Sequence, residues 1–398
     1  MILRIRARAL LSRASAMPAD GVLDLRQFTM HEMRLEPTES SANDPALIVT
    51  GYAVHEDNVH YTANGEDYAA SNLVSGTVWR WRPAAARARD DDGASQLEKL
   101  VDLADFITPA TTGLSNVGNG NQAVRVDCPG GPSWDGVDYM HQSSCGPGVG
   151  GDLVSSLRNL NAVVSLKADG SGVNWILSSD PALNTTYRSF EFEHDNERFY
   201  YPHHVSQLPT GHILLMDDGL GRPGCMAGSE SECYNRAIEC ARARARATAV
   251  ARPRRGRVKL KGPASLSLSA ARRYALDHDG DGSGIARAVW QFAYPDEFSE
   301  GESASSARAA SYADVNSKIG NSVSKLPNDH YAVAFTVLDN DSSRASSSQQ
   351  YADLCDVDAD GALHALLRVH NVSFFGDGSY RALPYESVYG ETRACPLG

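Results

Sequence analysis

Side chains able to do chemistry concentrate in two runs of the sequence. The first, DYMHQSSCGPGVGGDLVSSLRNLNAVVSL from Asp138, supplies His141, Ser143, Ser144 and Arg158. The second, RFYYPHHVSQLPTGHILLMDDGLGRP from Arg198, supplies His203 and His204, and YNRAIE beyond it adds Arg236. An earlier imidazole, His31, lies in FTMHEMRLEP. Histidine serves as nucleophile, general base or metal ligand, and the planar guanidinium of arginine binds tetrahedral anions through two donors. Each residue also has a plainer reading, the histidines as satisfied polar groups at strand ends and Arg158 as a buried ion-pair partner. His203 and His204 are adjacent, so in a regular strand they face opposite ways and only one reaches a shared centre. A metal-dependent hydrolase built on His31, His141, His203 and His204 is a further reading of the same residues.

Several better-known motifs fail on inspection. The chain has no Gly-Lys pair and hence no Walker A loop. Gly146, Gly148 and Gly151 fit a G-x-G-x-x-G spacing but have no strand–helix frame around them and read as a loop. His55 and His60 are one residue too far apart for two ligands on one helical face. Two Asp-rich runs, from Asp277 and Asp356, open like calcium loops, but their twelfth positions are Ala288 and Leu367 instead of a bidentate glutamate. They read as hairpin turns, with Asp bonding to the backbone and Gly supplying positive φ. The seven cysteines form no C-x-x-C pair and so give no support for a zinc site; the leading reading needs no cofactor.

The elements that must position these residues are β-rich. A short apolar run, an Asp-Gly turn and a second run recur at 161–177, 274–292 and 351–369, preceded by the strand-like segments 150–156, 208–219 and 326–337. Repeated antiparallel units of this kind are the sequence pattern of a β-propeller. GTVWRWR (76–82) reads as one more hairpin strand, with RPAAARARDDDG as its loop. Helical periodicity appears only over 96–106, where Leu97, Leu100, Val101 and Ala104 line one face.

Of 398 residues, 37 are Lys or Arg and 49 are Asp or Glu, and the net charge of −12 argues against a nucleic-acid partner. The segment 240–273 departs from this balance, with 11 basic residues, no acid, low complexity and no apolar period. It reads as a disordered basic insertion within one domain spanning 20–398. Residues 1–19 open with MILRIRARALLSRASA, whose four Arg and broken apolar stretch resemble an organelle presequence more than a secretory signal. Asn184, Asn340 and Asn371 head glycosylation triplets, usable in a secretory compartment. No apolar run reaches 18 residues, so no membrane-spanning helix is expected.

The two polar runs resemble the arylsulfotransferase family, propeller enzymes that move a sulfuryl group between phenols without phosphoadenosine phosphosulfate. His141, Ser144, Arg158, Asn159, Val163, Trp175 and Leu177 fall on its H-x-N-S motif and the strand and hairpin that follow. Phe199, Tyr200, His203, Leu208, Pro209, Gly211, His212, Asp217, Gly219, Arg236 and Glu239 fall on its later F-Y-x-x-H, L-P-x-G, D-N-G and S-R-A-x-E motifs. VWQFAYP, GNSVSKLPN and SYRALPYESVYGE resemble its later blades, so the likeness covers about 134–398 apart from the insertion. Two asparagines of the family pattern are replaced, by Ser143 and by Asp218.

The resemblance implies a six-bladed β-propeller, incomplete here, that acts on aryl sulfates and phenols in a secreted or secretory setting. It implies that His203 is the nucleophile, with His141 and Arg158 holding the sulfuryl oxygens. Ser143, His31, His204 and Arg236 would line the substrate. The alternative is a catalytically degenerate propeller that binds a ligand or a protein through the same channel.

Overall fold

The computed structural model describes residues 28–36, 46–63, 66–81, 97–108, 123–126, 134–180, 183, 187, 189–192, 194–219, 222, 235–242, 284–293, 321–337 and 351–370. These residues are all-β, with strands and single 3-10 turns and no α-helix among them. Among them no helix is long and apolar enough to cross a membrane.

Four antiparallel meanders account for most of the described strands. The first comprises β1 (Phe28–Glu36), β2 (Ala46–Ala63), β3 (Glu66–Trp81) and β4 (Leu97–Asp102). A hairpin of β5 (Ala123–Val126) and β6 (Trp134–Asp138) joins it through a short parallel contact of β6 with β3. The second comprises β7 (Gln142–Pro147), β8 (Leu153–Leu157), β9 (Ala162–Leu166) and β10 (Val173–Ser178). After β11 (Ser189–Phe192) comes the third, of β12 (Pro202–Gln207), β13 (Ile213–Asp217), β14 (Arg236–Arg242) and β15 (Gly284–Ala293). The fourth comprises β16 (Ser322–Lys325), β17 (Tyr331–Val337), β18 (Tyr351–Val357) and β19 (Leu363–His370).

The second and third meanders are one nine-stranded sheet, because β11 runs parallel to both β10 and β15 and joins their outer edges. This sheet nearly closes on itself. Its two terminal strands, β7 and β12, lie side by side, and the Val205 N–H donates to Ser144 Oγ at 2.9 Å.

Meanders packed face to face bury both sides of their strands, which explains why ILLMD in β13 is a continuous apolar run and not an alternating one. Ile213 and Leu215 enter a core shared with Val154, Val163 and Leu177 of the second meander. Leu214 and Met216 enter one shared with Val323, Val333 and Phe335 of the fourth. Each such side chain contributes about 1.5–3 kcal/mol by leaving water.

The hairpins expected at 161–177 and 351–369 form, with turns at 167–172 and 358–362. In the second, Asp358 Oδ1 accepts the N–H groups of Asp360 and Ala362, as a turn aspartate should. The described part of GTVWRWR, Gly76–Trp81, lies on β3, and Thr77–Trp81 pair with β4. The helix suggested at 96–106 is a correction: 97–102 is β4 and 103–105 a single 3-10 turn. Pairing with β3 overrides the local period, and a register irregularity between Val78 and Trp79 lets apolar residues fall at spacings other than two. The insertion starts later than expected, since Cys240, Ala241 and Arg242 belong to β14, Cys240 and Ala241 being fully buried. Residues 1–19, the three glycosylation triplets, residues 243–273, the turn at 277–282, the RPAAARARDDDG loop and the Ser-rich stretches at 299–311 and 342–348 lie outside the described residues. Cys145, Cys240 and Cys355 are buried, and burial pushes the thiols of Cys240 and Cys355 well up.

Candidate functional site

Strand register gathers the candidate residues at one end of the meanders. Gln142 pairs with Leu157, Leu157 with Ala162, Pro202 with Asp217, and Asp217 with Arg236, so the starts of β7 and β12 share an end with the β8–β9 and β13–β14 connections.

His141 occupies the corner between β6 and β7 in a left-handed conformation, φ 45°. Asp138, buried beneath it, takes its backbone N–H on Oδ1 at 2.8 Å and contacts its ring Nδ1 through Oδ2 at 2.6 Å. One carboxylate thus fixes both the backbone and the ring, and turns Nε2 away from itself. The imidazole side chain is 24% exposed.

The next corner is sewn onto this one. The Arg158 N–H donates to His141 O, the Asn159 N–H to Met140 O, and the Asn159 side-chain amide to Asp138 O. Arg158 donates to Asn159 Oδ1 at 3.0 Å and holds its guanidinium carbon 4.2 Å from the centre of the Tyr201 ring, a cation–π contact. Tyr201 (φ 54°) also donates its N–H to Asn161 Oδ1 at 2.8 Å, and Asn161 is itself left-handed at 47°. Burial pushes the Tyr201 hydroxyl up, against the opposing pull of Arg158.

His203 and His204 depart from simple alternation. The register shifts between His203 and Ser206, and His204 has φ 39°, so both imidazoles are buried, at 1% and 2% exposure. A bulged strand no longer sends successive side chains to opposite faces. His203 Nε2 lies 3.7 Å from Asp218 Oδ2. Nδ1 of His204 accepts the Val323 N–H at 3.2 Å, which docks β12 onto β16 and leaves that nitrogen without a proton. Asp218 is fully buried and is held by side-chain amides, Asn321 on Oδ1 and Asn235 on its carbonyl, both at 3.0 Å.

Next to this lies an ionic frame around Asp217. Its Oδ2 accepts Arg222 at 2.6 Å and Arg236 Nε at 2.8 Å, while Oδ1 accepts the N–H groups of Tyr200 and Gly219. Arg236 sends its other donors to Asn196 O, Gln291 Oε1 and Arg198 O. Its guanidinium is therefore committed to holding the β13–β14 end together.

The structure brings His141, Arg158 and Tyr201 into one contiguous cluster and sets His203 two residues from Tyr201. Ser143 is fully buried on β7, with Oγ 3.5 Å from His141 O. His31 lies on β1, which packs beside β7, but its side chain is outside the described ones. Sequence reasoning matched Asn159 to a family motif without giving it a role and missed Asp138, Asn161, Tyr201, Asn235 and Asn321. Only Asp138 carried a local signal, an acid three residues ahead of a histidine; the others depend on contacts between strands distant in sequence. Among the described residues, no group of three or more His, Cys, Asp and Glu side chains is placed to hold a metal ion.

Arg158 at the corner beside His141, together with the Asp138–His141 and Asp218–His203 carboxylate–imidazole contacts, is a set of groups able to bind an oxyanion and present a nitrogen nucleophile to it. No protein-family model matches the chain, and no curated protein matches it.

Proposed function

We propose that the chain is a sulfuryl transferase acting on aryl sulfates, and that its four meanders are blades of a β-propeller. The blade reading is supported by the side-by-side packing of β1 with β7, β7 with β12 and β12 with β16, the first strand of each meander. The observation that carries the activity is the gathering of His141, Arg158 and His203 at one end of these strands.

In the first half-reaction a ring nitrogen of His203 attacks sulfur, the sulfur–aryl oxygen bond breaks and a phenolate leaves. An acceptor phenol then attacks the sulfo-histidine, the nitrogen–sulfur bond breaks, and the acceptor's proton balances the one taken up by the departed phenolate. Asp218 beside Nε2 favours the tautomer with the proton there, which makes Nδ1 the attacking nitrogen. Arg158 and His141 would bear the charge that develops on the sulfuryl oxygens. No metal or organic cofactor enters these steps.

A second reading, a binding module for a phenolic or sulfated ligand, is favoured by the burial of His203 and Asp218, beside which His141 is the more accessible group.

The test is p-nitrophenolate release from p-nitrophenyl sulfate with and without phenol, on the wild type and on His203→Ala and His203→Asn variants whose folding is checked by circular dichroism. Release that depends on phenol and falls at least about 10³-fold in folded variants supports transfer through His203. A folded wild type that releases nothing overturns the enzyme reading, and a fluorescence titration with the same sulfate then asks for binding lost in Arg158→Ala. Release untouched by the His203 variants overturns the nucleophile assignment.

A further inference from the structure

The β18–β19 turn, which begins like a calcium loop and lacks its final glutamate, carries a different arrangement. His330, just before β17, and His364, on β19, reach across β18 until their ring centres stand 4.7 Å apart at a tilt of 36°. Each ring is fixed through one nitrogen by a carboxylate. His330 Nδ1 meets Asp356 Oδ1 at 2.7 Å, and His364 Nε2 meets Asp358 Oδ2 at 2.8 Å. Asp358 is held in turn by the N–H groups of Asp360 and Ala362. Its slight burial pushes its carboxyl up, but the bonds from His364, Ala362 and Asp360 outweigh this and hold it below the usual range.

An imidazole with one nitrogen locked to a carboxylate is the usual form of a metal-bound histidine, because the carboxylate orients the ring and raises the basicity of the other nitrogen. The spacing fits as well. A zinc–nitrogen bond of about 2.1 Å places the ion roughly 3.2 Å from the ring centre, so two rings on one ion stand roughly 5 Å apart. Among the described residues no hydrogen bond is made to His330 Nε2 or His364 Nδ1, and the His364 side chain is 49% exposed.

We propose that His330 and His364 form a two-imidazole site for a divalent transition ion of the zinc class, with water completing the coordination. The ion would tie β17 to β19 across β18. This site is independent of the sulfuryl-transfer reading, since its residues take no part in it.

Calorimetric titration of the full-length, untagged, chelator-stripped protein with zinc chloride at pH 7.5 tests the site. One equivalent is expected to bind, at least about tenfold more weakly in His330→Ala or His364→Ala and about 10- to 100-fold more weakly in Asp358→Asn. Binding should be unchanged in His212→Ala. His364→Gln, at an exposed position, carries the test if an alanine variant does not fold. Absence of zinc binding, or equal affinity in wild type and a folded His364 variant, overturns the proposal.

Discussion

The two ends of the meanders handle the same backbone problem in opposite ways. At the end carrying the β7–β8, β9–β10, β12–β13 and β18–β19 turns, left-handed backbone falls on glycine, at Gly150, Gly151, Gly170, Gly211 and Gly361, with Asp329 in the β16–β17 turn as the exception among the described residues. At the other end it falls on His141, Asn161, Tyr201 and His204, with Gly219 beside them. A residue bearing a Cβ loses about 1–2 kcal/mol in that conformation, so the second end stores strain that the first avoids. Its contacts hold it there: Asp138 on His141, Asn161 on Tyr201, and the Val323 N–H on His204. Strain of this kind persists only where surrounding structure over-determines it. The turn end is shaped to close hairpins, and the other end is shaped to present particular side chains.

The ionic frame is where this contrast breaks most severely. Asp217→Ala would leave Arg222 and Arg236, at 5% and 2% exposure, buried without their carboxylate. The expected loss is about 3–5 kcal/mol in urea-unfolding experiments. A loss under about 1 kcal/mol would mean that the frame is not what holds the strained end.

Gly170→Ala probes the turn end where it is most constrained. Its φ is +71°, and an added Cβ would lie 2.0 Å from the Leu100 carbonyl oxygen on β4. Backbone cannot yield as a flexible side chain can, so about 2–4 kcal/mol should be lost.

The turn end also has its own carboxylate–imidazole pair, and its carboxylate responds to pH. Glu239 accepts from Tyr331 Oη at 2.6 Å and contacts His212 Nδ1 at 2.5 Å. Burial pushes its carboxyl up, but these two bonds outweigh burial and leave it below the usual range. A carboxyl depressed in the folded state adds stability above its unfolded value of about 4.3, and that stability disappears as pH falls through the folded value. Glu239→Gln should therefore cost about 1–2 kcal/mol at pH 7 and progressively less below about pH 4, flattening the acid limb of the stability curve. An unchanged slope in that window would remove Glu239 from the account.

Gly211→Ala gives the smallest effect and isolates the conformational cost. Gly211 has φ +84° and nothing within 4 Å of an added Cβ, so only about 1 kcal/mol should be lost. A cost equal to that of Gly170→Ala would show that crowding against Leu100 contributes nothing.

The all-β architecture was legible because short apolar runs and Asp-Gly turns are local, and 161–177 and 351–369 fold as those signals direct. The segment 96–106 misled because its helical spacing loses to pairing with β3. The candidate site was legible only as residue types, since His141, Arg158 and His203 stand in the two polar runs. Its geometry was not. The bulge that buries both His203 and His204 is set by neighbouring β13 and β16, and Asn321, more than 100 residues from Asp218, has no signal pointing to it. Nor could sequence foresee that Arg236 is committed to Asp217, or that His330 and His364 meet across an intervening strand.

The four-residue strand β11 has a consequence for how the molecule opens. By pairing with β10 through Ile176 and Leu177 and with β15 through Gly284 to Ala286, it covers two outer strand edges at once. Exposed edges are where foreign strands add and aggregates begin, and here a single segment protects two of them. The amides of β10 and β15 should then exchange with deuterium in one cooperative opening, slower than those of β19, where Leu367 and Val369 stand exposed.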